Sequence, residues 1–148
     1  MIMLVPISAC LFAMWHDVRT REIPDAVPVG LVVAGIVATG MGWIHGDWLP
    51  FILGGLLGFI VVLPFTLSGG IGGGDLKLVA ALGLWLGPLL LLQALFWTAL
   101  AGFGCAVIAK VRKQNDFAYV PAITIGLLVA VVFPSWLPHL ITELRVIL

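Results

Sequence analysis

Two aspartates, Asp17 and Asp75, are the residues of this sequence best suited to chemistry. Each lies at the edge of a long apolar segment, in a chain where only 9% of the residues are charged. A carboxylate next to hydrocarbon is costly, so an acid at such a position is a functional candidate. Two carboxyl groups that meet in a poorly solvated site tend to share one proton, which leaves one as a base and the other as an acid. Such a pair can activate water against an amide carbonyl.

The composition of the chain indicates a membrane protein. Of the 148 residues, 62% are hydrophobic, and the mean hydropathy is +1.23. A soluble domain of this length would carry more apolar side chain than it could bury, so we expect an integral membrane protein. The charges of the seven basic and seven acidic residues cancel, so the net charge is zero and does not indicate nucleic-acid binding. Cys10 and Cys105 lie in apolar runs without CxxC spacing and are expected to be buried thiols.

Six apolar runs predict an all-α, polytopic membrane protein with six transmembrane helices, which form one membrane domain over residues 1–148. A span needs about 20 residues, so the first and fifth runs are short. The fourth and fifth runs are separated only by Gly87-Pro88 and Gln93. A hairpin at Gly87-Pro88 is predicted because it returns the basic residues after the fifth run to the side of Lys77. The runs are Ile2–Trp15, Val27–Ile44, Trp48–Leu67, Leu76–Leu92, Ala94–Ala109 and Val120–Leu137.

The basic residues predict the orientation of these helices. In the six-helix arrangement, six of the seven basic residues share one face and only Arg145 lies opposite. The positive-inside rule therefore puts the N-terminus outside and the loops carrying Asp17 and Asp75 in the cytoplasm, at the inner (plasma) membrane. Both acids are then at one membrane depth and can converge. The tail 134–148 is predicted to lie at the interface. The six basic residues are Arg19, Arg21, Lys77, Lys110, Arg112 and Lys113.

A glycine-rich cytoplasmic loop is predicted directly before the fourth helix, within Gly69–Lys77. Its five glycines permit close backbone approach and positive φ angles. We therefore expect a side chain in this loop to be tolerated less well than one at Gly54, in a helix interior. The stretch is not a P-loop, since GxxxxGK[ST] is absent.

The charged residues also have structural interpretations. Asp75 could be the first-turn acid of the fourth helix, and Asp17 could be a solvated acid paired with a neighbouring arginine. Lys77 could be a snorkelling anchor. His16 beside Asp17 suggests a metal ligand, but one histidine among scattered carboxylates makes no convincing set, so neither metal nor cofactor is expected.

Two stretches together resemble a known family. Asp17 with Arg21, Ile23 and Pro24, followed by Gly72-Gly73-Gly74-Asp75-Leu76-Lys77, is similar to the paired-aspartate pattern of type IV prepilin peptidases. These are membrane aspartic proteases related to archaeal preflagellin peptidases. A later segment, Pro121-Ala122-Ile123 followed by Gly126, is similar to the one that opens the last helix in that family, so the resemblance covers nearly the whole chain.

The resemblance implies a function as well as a fold. Asp17 and Asp75 would be the catalytic pair of an endopeptidase without metal or cofactor. The substrate would be a prepilin-like membrane protein, whose basic leader is cut off at the cytoplasmic face of the bilayer. The residues that would shape the site are Gly72, Gly73, Gly74, Lys77, Arg21 and Pro24.

This sequence departs from the family pattern at two points. Asp25 stands where the family usually has Asn after Ile-Pro, which adds a third acid near the site. The cytoplasmic domain with CxxC pairs, which methylates the new N-terminus in bifunctional members, has no counterpart in these residues. The chain therefore resembles the short, peptidase-only form associated with tight-adherence (Flp-type) pili or with preflagellins.

Two other classes of function fit the residues. A small ion- or proton-coupled transporter could use the two acids as an ion pathway and the glycines as a broken helix, although transported ions bind nearer the midplane. A non-catalytic subunit of a pilus or secretion assembly would need neither acid.

Overall fold

The described part of the chain is helical throughout and contains no strand. A computed structural model describes residues 3–20, 22–44, 47–111 and 120–133, and over 105–111 it describes the helix alone. The predicted all-α class is confirmed. The helices are α1 (Leu4–Thr20), α2 (Ala26–Gly40), α3 (Trp48–Leu67), α4 (Gly73–Val111) and α5 (Val120–Val132).

Two of these helices are long and apolar enough to cross a membrane, namely Trp48–Leu67 and Gly73–Gly104. α2 and α5 are apolar but shorter. Large apolar side chains such as Leu49, Phe65 and Leu67 stand exposed on the outside of the bundle, a surface that suits lipid rather than water. Six crossings and their orientation stay predictions.

The fourth helix breaks where the sequence predicts a turn. Gly87 has φ +70° and ψ 173°, and Pro88 follows it. We call 73–86 the first limb of α4 and 88–111 the second. A methyl group at Gly83 would lie 3.0 Å from the Leu91 side chain, and one at Gly58 would contact both Leu91 and Ala80. In a continuous helix Gly83 and Leu91 would be about 12 Å apart along the axis, so the chain folds back after Gly87.

The closest helix contact joins α3 to the first limb. Gly54 and Gly58 form a small-xxx-small pair that lets backbones approach closely in membrane helices. A Cβ at Gly54 would lie 2.0 Å from the Gly83 carbonyl oxygen, and one at Gly83 would lie 2.2 Å from the Gly54 carbonyl oxygen. Gly54 lies in a helix interior as predicted, and it also faces backbone that cannot move aside, so a side chain there would disturb the packing.

The last described helix, α5, joins the second limb of α4 to α1. A Cβ at Gly126 would lie 2.1 Å from the Thr98 hydroxyl oxygen, so these helices also cross closely. Thr124 is 2% exposed, and its hydroxyl donates to the carbonyl oxygens of Val120, at 2.9 Å, and of Cys10 in α1, at 3.5 Å. These contacts fix the start of α5 beside α1.

The second helix packs on the first limb beside α3. The buried Trp85 indole donates to the Leu31 carbonyl oxygen over 2.8 Å. Gly35 leaves room for that indole and for the Phe51 ring of α3. The first limb is therefore packed against both α2 and α3.

Several helix ends differ from the predicted boundaries. α2 ends at Gly40 rather than Ile44. The two limbs of α4 meet at Gly87, where the hairpin is predicted, rather than between Leu92 and Ala94, where the apolar runs divide.

Two further differences concern the aspartates. α1 continues past Trp15 to Thr20, so Asp17 lies inside its last turns rather than after it. The apolar run ends at Trp15, but nothing in the following polar residues breaks a helix. α4 begins at Gly73, three residues before the predicted Leu76, so Asp75 is in its first turn.

Several predictions fall outside the described residues. They concern Arg21, the basic residues Arg112 and Lys113, and the interfacial tail 134–148.

Candidate active site

Both aspartates line one cavity of about 490 Å³, which we call the acid cavity. Its walls come from the end of α1, the connection to α2, and the start of α4. The structure thus brings together Asp17, Asp75, Pro24 and the three glycines that the sequence predicts for a site. The lining residues are Asp17, Glu22, Ile23, Pro24, Asp25, Gly72, Gly73, Gly74 and Asp75.

Asp17 is held at the N-terminus of a different helix. It is 7% exposed, and its carboxylate accepts a hydrogen bond from the backbone N–H of Val120, the first residue of α5. The first N–H groups of a helix lack partners within the helix, and the helix dipole favours negative charge there. The Oδ2 atom of Asp17 has no hydrogen-bond partner among the residues that the structure describes. The carboxylate is therefore anchored by α5, while its Oδ2 atom faces no donor among these residues.

Asp75 is held by its own helix. It is 8% exposed, and its carboxylate accepts a hydrogen bond from the backbone N–H of Gly72. The Gly72 carbonyl oxygen accepts from Leu76, which makes Gly72 the N-cap residue and Asp75 the third residue of the first turn. An acid that reaches back to the N-cap N–H forms one half of a capping box. The first-turn interpretation of Asp75 is thus correct in geometry, and it coexists with a place in the acid cavity.

The two carboxyl groups influence each other. Asp17 acts electrostatically on Asp75, although they lie 58 positions apart in the chain and on different helices. Because α5 packs on both α1 and α4, it connects the helices that carry the two acids. Burial and mutual repulsion both disfavour two charges in this space, so the pair suits one shared proton.

The glycines act here through space rather than through unusual torsions. Within the glycine stretch 69–74, the expected positive φ occurs at Gly69, whereas the glycines that line the cavity, Gly72 to Gly74, do not have it. A Cβ at Gly74 would lie 3.2 Å from the Cβ of Ile23, tighter than an ordinary contact, whereas a Cβ at Gly73 would meet nothing within 4 Å. Gly74 therefore lets the α1–α2 connection lie against the start of α4.

That connection is supported by His16. Its Nδ1 lies 2.9 Å from the Glu22 carbonyl oxygen and 2.8 Å from the Thr20 hydroxyl. The Thr20 hydroxyl in turn donates to the carbonyl oxygen of His16 over 3.0 Å. Among the described residues no three His, Cys, Asp or Glu side chains are grouped as metal ligands. His16 is engaged in holding the backbone beside the acid cavity.

Lys77 reaches the site through Asp25. Its ammonium donates to the Asp25 carboxylate over 2.7 Å, which ties the start of α2 to the second turn of α4. The two side chains are 57% and 70% exposed, so solvent weakens their attraction. Lys77 does not line the acid cavity, and its predicted site-shaping role is indirect. The third acid, Asp25, has this lysine as its partner.

The sequence did not predict that Glu22 lines the cavity. Nothing in the sequence distinguishes this residue from a solvated acid in a loop. Ile23 was part of the recognised pattern, but its contact with Gly74 requires knowledge of the fold. Arg21 lies outside the described residues, so its predicted role stays a prediction.

Residues 4–107 match the model of the type IV leader peptidase family, and the chain belongs to that family. The resemblance to this family is confirmed. Family membership together with the apolar helices indicates a protein embedded in a membrane.

Named relatives come from bacteria and an archaeon. The prepilin leader peptidase/N-methyltransferase of Neisseria gonorrhoeae is 32% identical over 120 residues, 74% of this chain and 41% of the relative. The protein of the same name from Bacillus subtilis is 34% identical over 137 residues, 86% of this chain and 53% of the relative. The preflagellin peptidase of Methanocaldococcus jannaschii is 38% identical over 77 residues, 49% of this chain and 32% of the relative.

The chain spans about half the length, or less, of these curated relatives. No solved structure matches the chain.

Proposed function

We propose that this chain is an aspartic endopeptidase that removes the basic leader from prepilin-like or preflagellin-like membrane proteins. The observation that carries the proposal is the meeting of Asp17 and Asp75 in one cavity, both buried and each held by one backbone N–H. Membership of the leader peptidase family supports the same chemistry.

In the proposed mechanism the two acids divide the work. The ionised member takes a proton from water, whose oxygen attacks the carbonyl carbon of the scissile amide, while the protonated member donates its proton to the carbonyl oxygen. In the second step the acid that took the proton from water passes it to the leaving nitrogen, the C–N bond breaks, and the other acid recovers its proton from a hydroxyl group of the intermediate. General acid catalysis and general base catalysis each typically accelerate a reaction by about 10²- to 10⁴-fold, and positioning of the substrate supplies the remainder of the rate enhancement. The pair titrates as a unit, so the shared proton belongs to both acids.

The proposed substrate matches the position of the acids. They lie at the end of α1 and the start of α4, where an interface would be, rather than in the middle of a helix. A substrate whose basic leader stays in water while its apolar helix enters the bilayer would present the connecting peptide bond at this depth.

We further propose that the acid cavity faces the cytoplasm. Six of the seven basic residues support this orientation through the positive-inside rule. Single cysteines introduced for Ser68 and Pro88 test it. A membrane-impermeant thiol reagent added from outside should label position 88 and leave position 68 unlabelled in intact cells. Labelling of position 68 instead of position 88 would show that the protein has the opposite orientation.

We also propose that these residues do not methylate the new N-terminus. The sequence contains two cysteines and no CxxC pair, whereas the bacterial relatives are named for both activities. Mass spectrometry of the cleaved product should detect a free, unmethylated N-terminus.

The central test replaces each acid by its amide. Asp17→Asn and Asp75→Asn keep nearly the same shape but cannot take up or carry the proton, so each should lower cleavage of a pilin-like substrate by at least about 10³-fold. Asp25→Asn is the matched control. It restores the residue usual in the family and loses only an exposed ion pair, so cleavage should stay within about threefold of wild type.

Two outcomes would contradict this assignment. One is near-normal cleavage by either Asn variant at equal amounts of membrane-inserted protein. The other is loss of wild-type activity in chelator with recovery on added metal, which would point to a metal-dependent site.

A further inference from the structure

A second concavity opens beside the acid cavity, and we call it the apolar groove. It has a volume of about 460 Å³ and lies between α2 and α3, with the first limb of α4 as its floor. Val29 and Val33 of α2 line one wall, Phe59 of α3 lines the other, and Ala80 lies on the floor. Lys77 and Asp25 are the charged residues of its lining, and they are paired with each other.

The apolar groove adjoins the acid cavity at one end. Asp25 lines both, so the Lys77–Asp25 ion pair marks the border between them. At the other end α2 and α3 come together, since Phe51 packs against Gly35 next to the Trp85 indole. The groove therefore borders the acid cavity at one end and is closed by α2 and α3 at the other.

The dimensions of the groove suit a short length of helix. Along α2 it runs from residue 25 to residue 33, which corresponds to about 12 Å, or roughly two helical turns. Alanines at Ala80 and Ala81 keep part of the floor low, which lets another helix approach closely.

We propose that the apolar groove binds the first two turns of the substrate's apolar segment, directly after the scissile bond. The inference rests on the proposed function and adds the place where the substrate helix lies. The order of the two spaces matches the order of the substrate: basic residues enter the cavity with the carboxylates, and apolar residues enter the groove. An anionic lipid with its acyl chain in the groove fits less well, because its headgroup would lie beside the acid cavity, which Glu22 and Asp25 line.

The groove also explains how one bond is selected. A helix seated against the closed end has only one register in which its last unwound peptide bond lies between Asp17 and Asp75. Cleavage would then be set by the length of apolar helix that fits beyond the Lys77–Asp25 border.

Photocrosslinking tests occupancy without requiring activity. The photoreactive analogue p-benzoylphenylalanine is placed at position 33 or, as the matched control, at position 36. Val33 is 56% exposed inside the groove, and Ile36 is 46% exposed on the same helix outside it. The background is Asp75→Asn, and the probe is a synthetic peptide with a basic leader and a 20-residue apolar segment of about one membrane span. Position 33 should crosslink to the first two turns of the apolar segment, and position 36 should not.

The second test of the groove measures the cleavage kinetics of variants that keep both aspartates. Val33→Trp fills the groove from an exposed position and should raise KM for the same peptide about tenfold with little change in kcat, because it removes apolar contact area from the substrate. Ile36→Trp should leave both constants unchanged.

Crosslinks from position 33 that go to lipid or to the leader, or that equal those from position 36, would overturn the groove assignment while leaving the peptidase intact. Crosslinking as expected in the Asp75→Asn background, with no cleavage of the same peptide by the wild-type protein, would instead uphold the groove and reject the proposed function.

Discussion

Glycines cluster at two places in this molecule, and they serve different ends. At the α3–α4 crossing, Gly54 and Gly83 bring two backbones so close that a methyl group on either would lie within 2.2 Å of the other's carbonyl oxygen. At the start of α4, Gly74 makes room for one side chain, that of Ile23, and Gly73 faces open space. The first cluster holds helices together, and the second shapes a cavity. A glycine-rich sequence therefore indicates function only where its glycines face a site.

The largest expected effect is that of Gly54→Ala, which would break the packing cluster. The methyl group meets backbone rather than a movable side chain, so the helices must separate, and such overpacking costs about 1–3 kcal/mol or more. We expect a clear fall in thermal stability in detergent. The activity of each remaining folded molecule should stay near wild type. Stability equal to wild type would mean that the crossing is looser than described.

Next in size is Gly74→Val, which should act on the cavity rather than on the fold. The side chain pushes Ile23 and the α1–α2 connection away from Asp75, so we expect kcat to fall about 100-fold, the cost of misplacing a reacting group by about 1 Å. Ile23→Ala in the same protein should restore part of the lost rate, because the smaller side chain leaves room for the valine at position 74. No recovery in the double variant would argue against this contact as the cause.

The smallest effect is expected for Gly73→Ala. Its Cβ would meet nothing within 4 Å, and alanine is the better helix former, by about 0.8–1.0 kcal/mol in a helix interior. Cleavage and melting temperature should both stay close to wild type. A severe loss at this position would show that Gly73 contacts the substrate itself, and the distinction between the two clusters would need revision.

Much of the fold was predictable, because apolar runs and helix breakers are local. The bounds Trp48–Leu67 of α3 were predicted to the residue, and the break at Gly87 falls where Gly-Pro interrupts the run. The ends of α1 and α4 were missed because both helices extend through polar or glycine residues that hydropathy does not count.

The candidate site was predictable in its residues but less so in its contacts. Asp17, Asp75, Pro24 and the three glycines all line the acid cavity. The hydrogen bond from Val120 to Asp17, the contact of Gly74 with Ile23, and the close approach of Gly54 to Gly83 each join residues distant in the chain. No local pattern encodes such pairs, since they depend on how the helices pack.

The hydrogen bond between Asp17 and Val120 also has a consequence for the newly made chain. α1 is synthesised first, yet its aspartate meets the N–H that orients it only once the start of α5 has left the ribosome, after α2, α3 and α4. Until then Asp17 is a carboxylate without its helix-end partner. If the two acids act as proposed, the site is complete only at a late point in the synthesis of the chain.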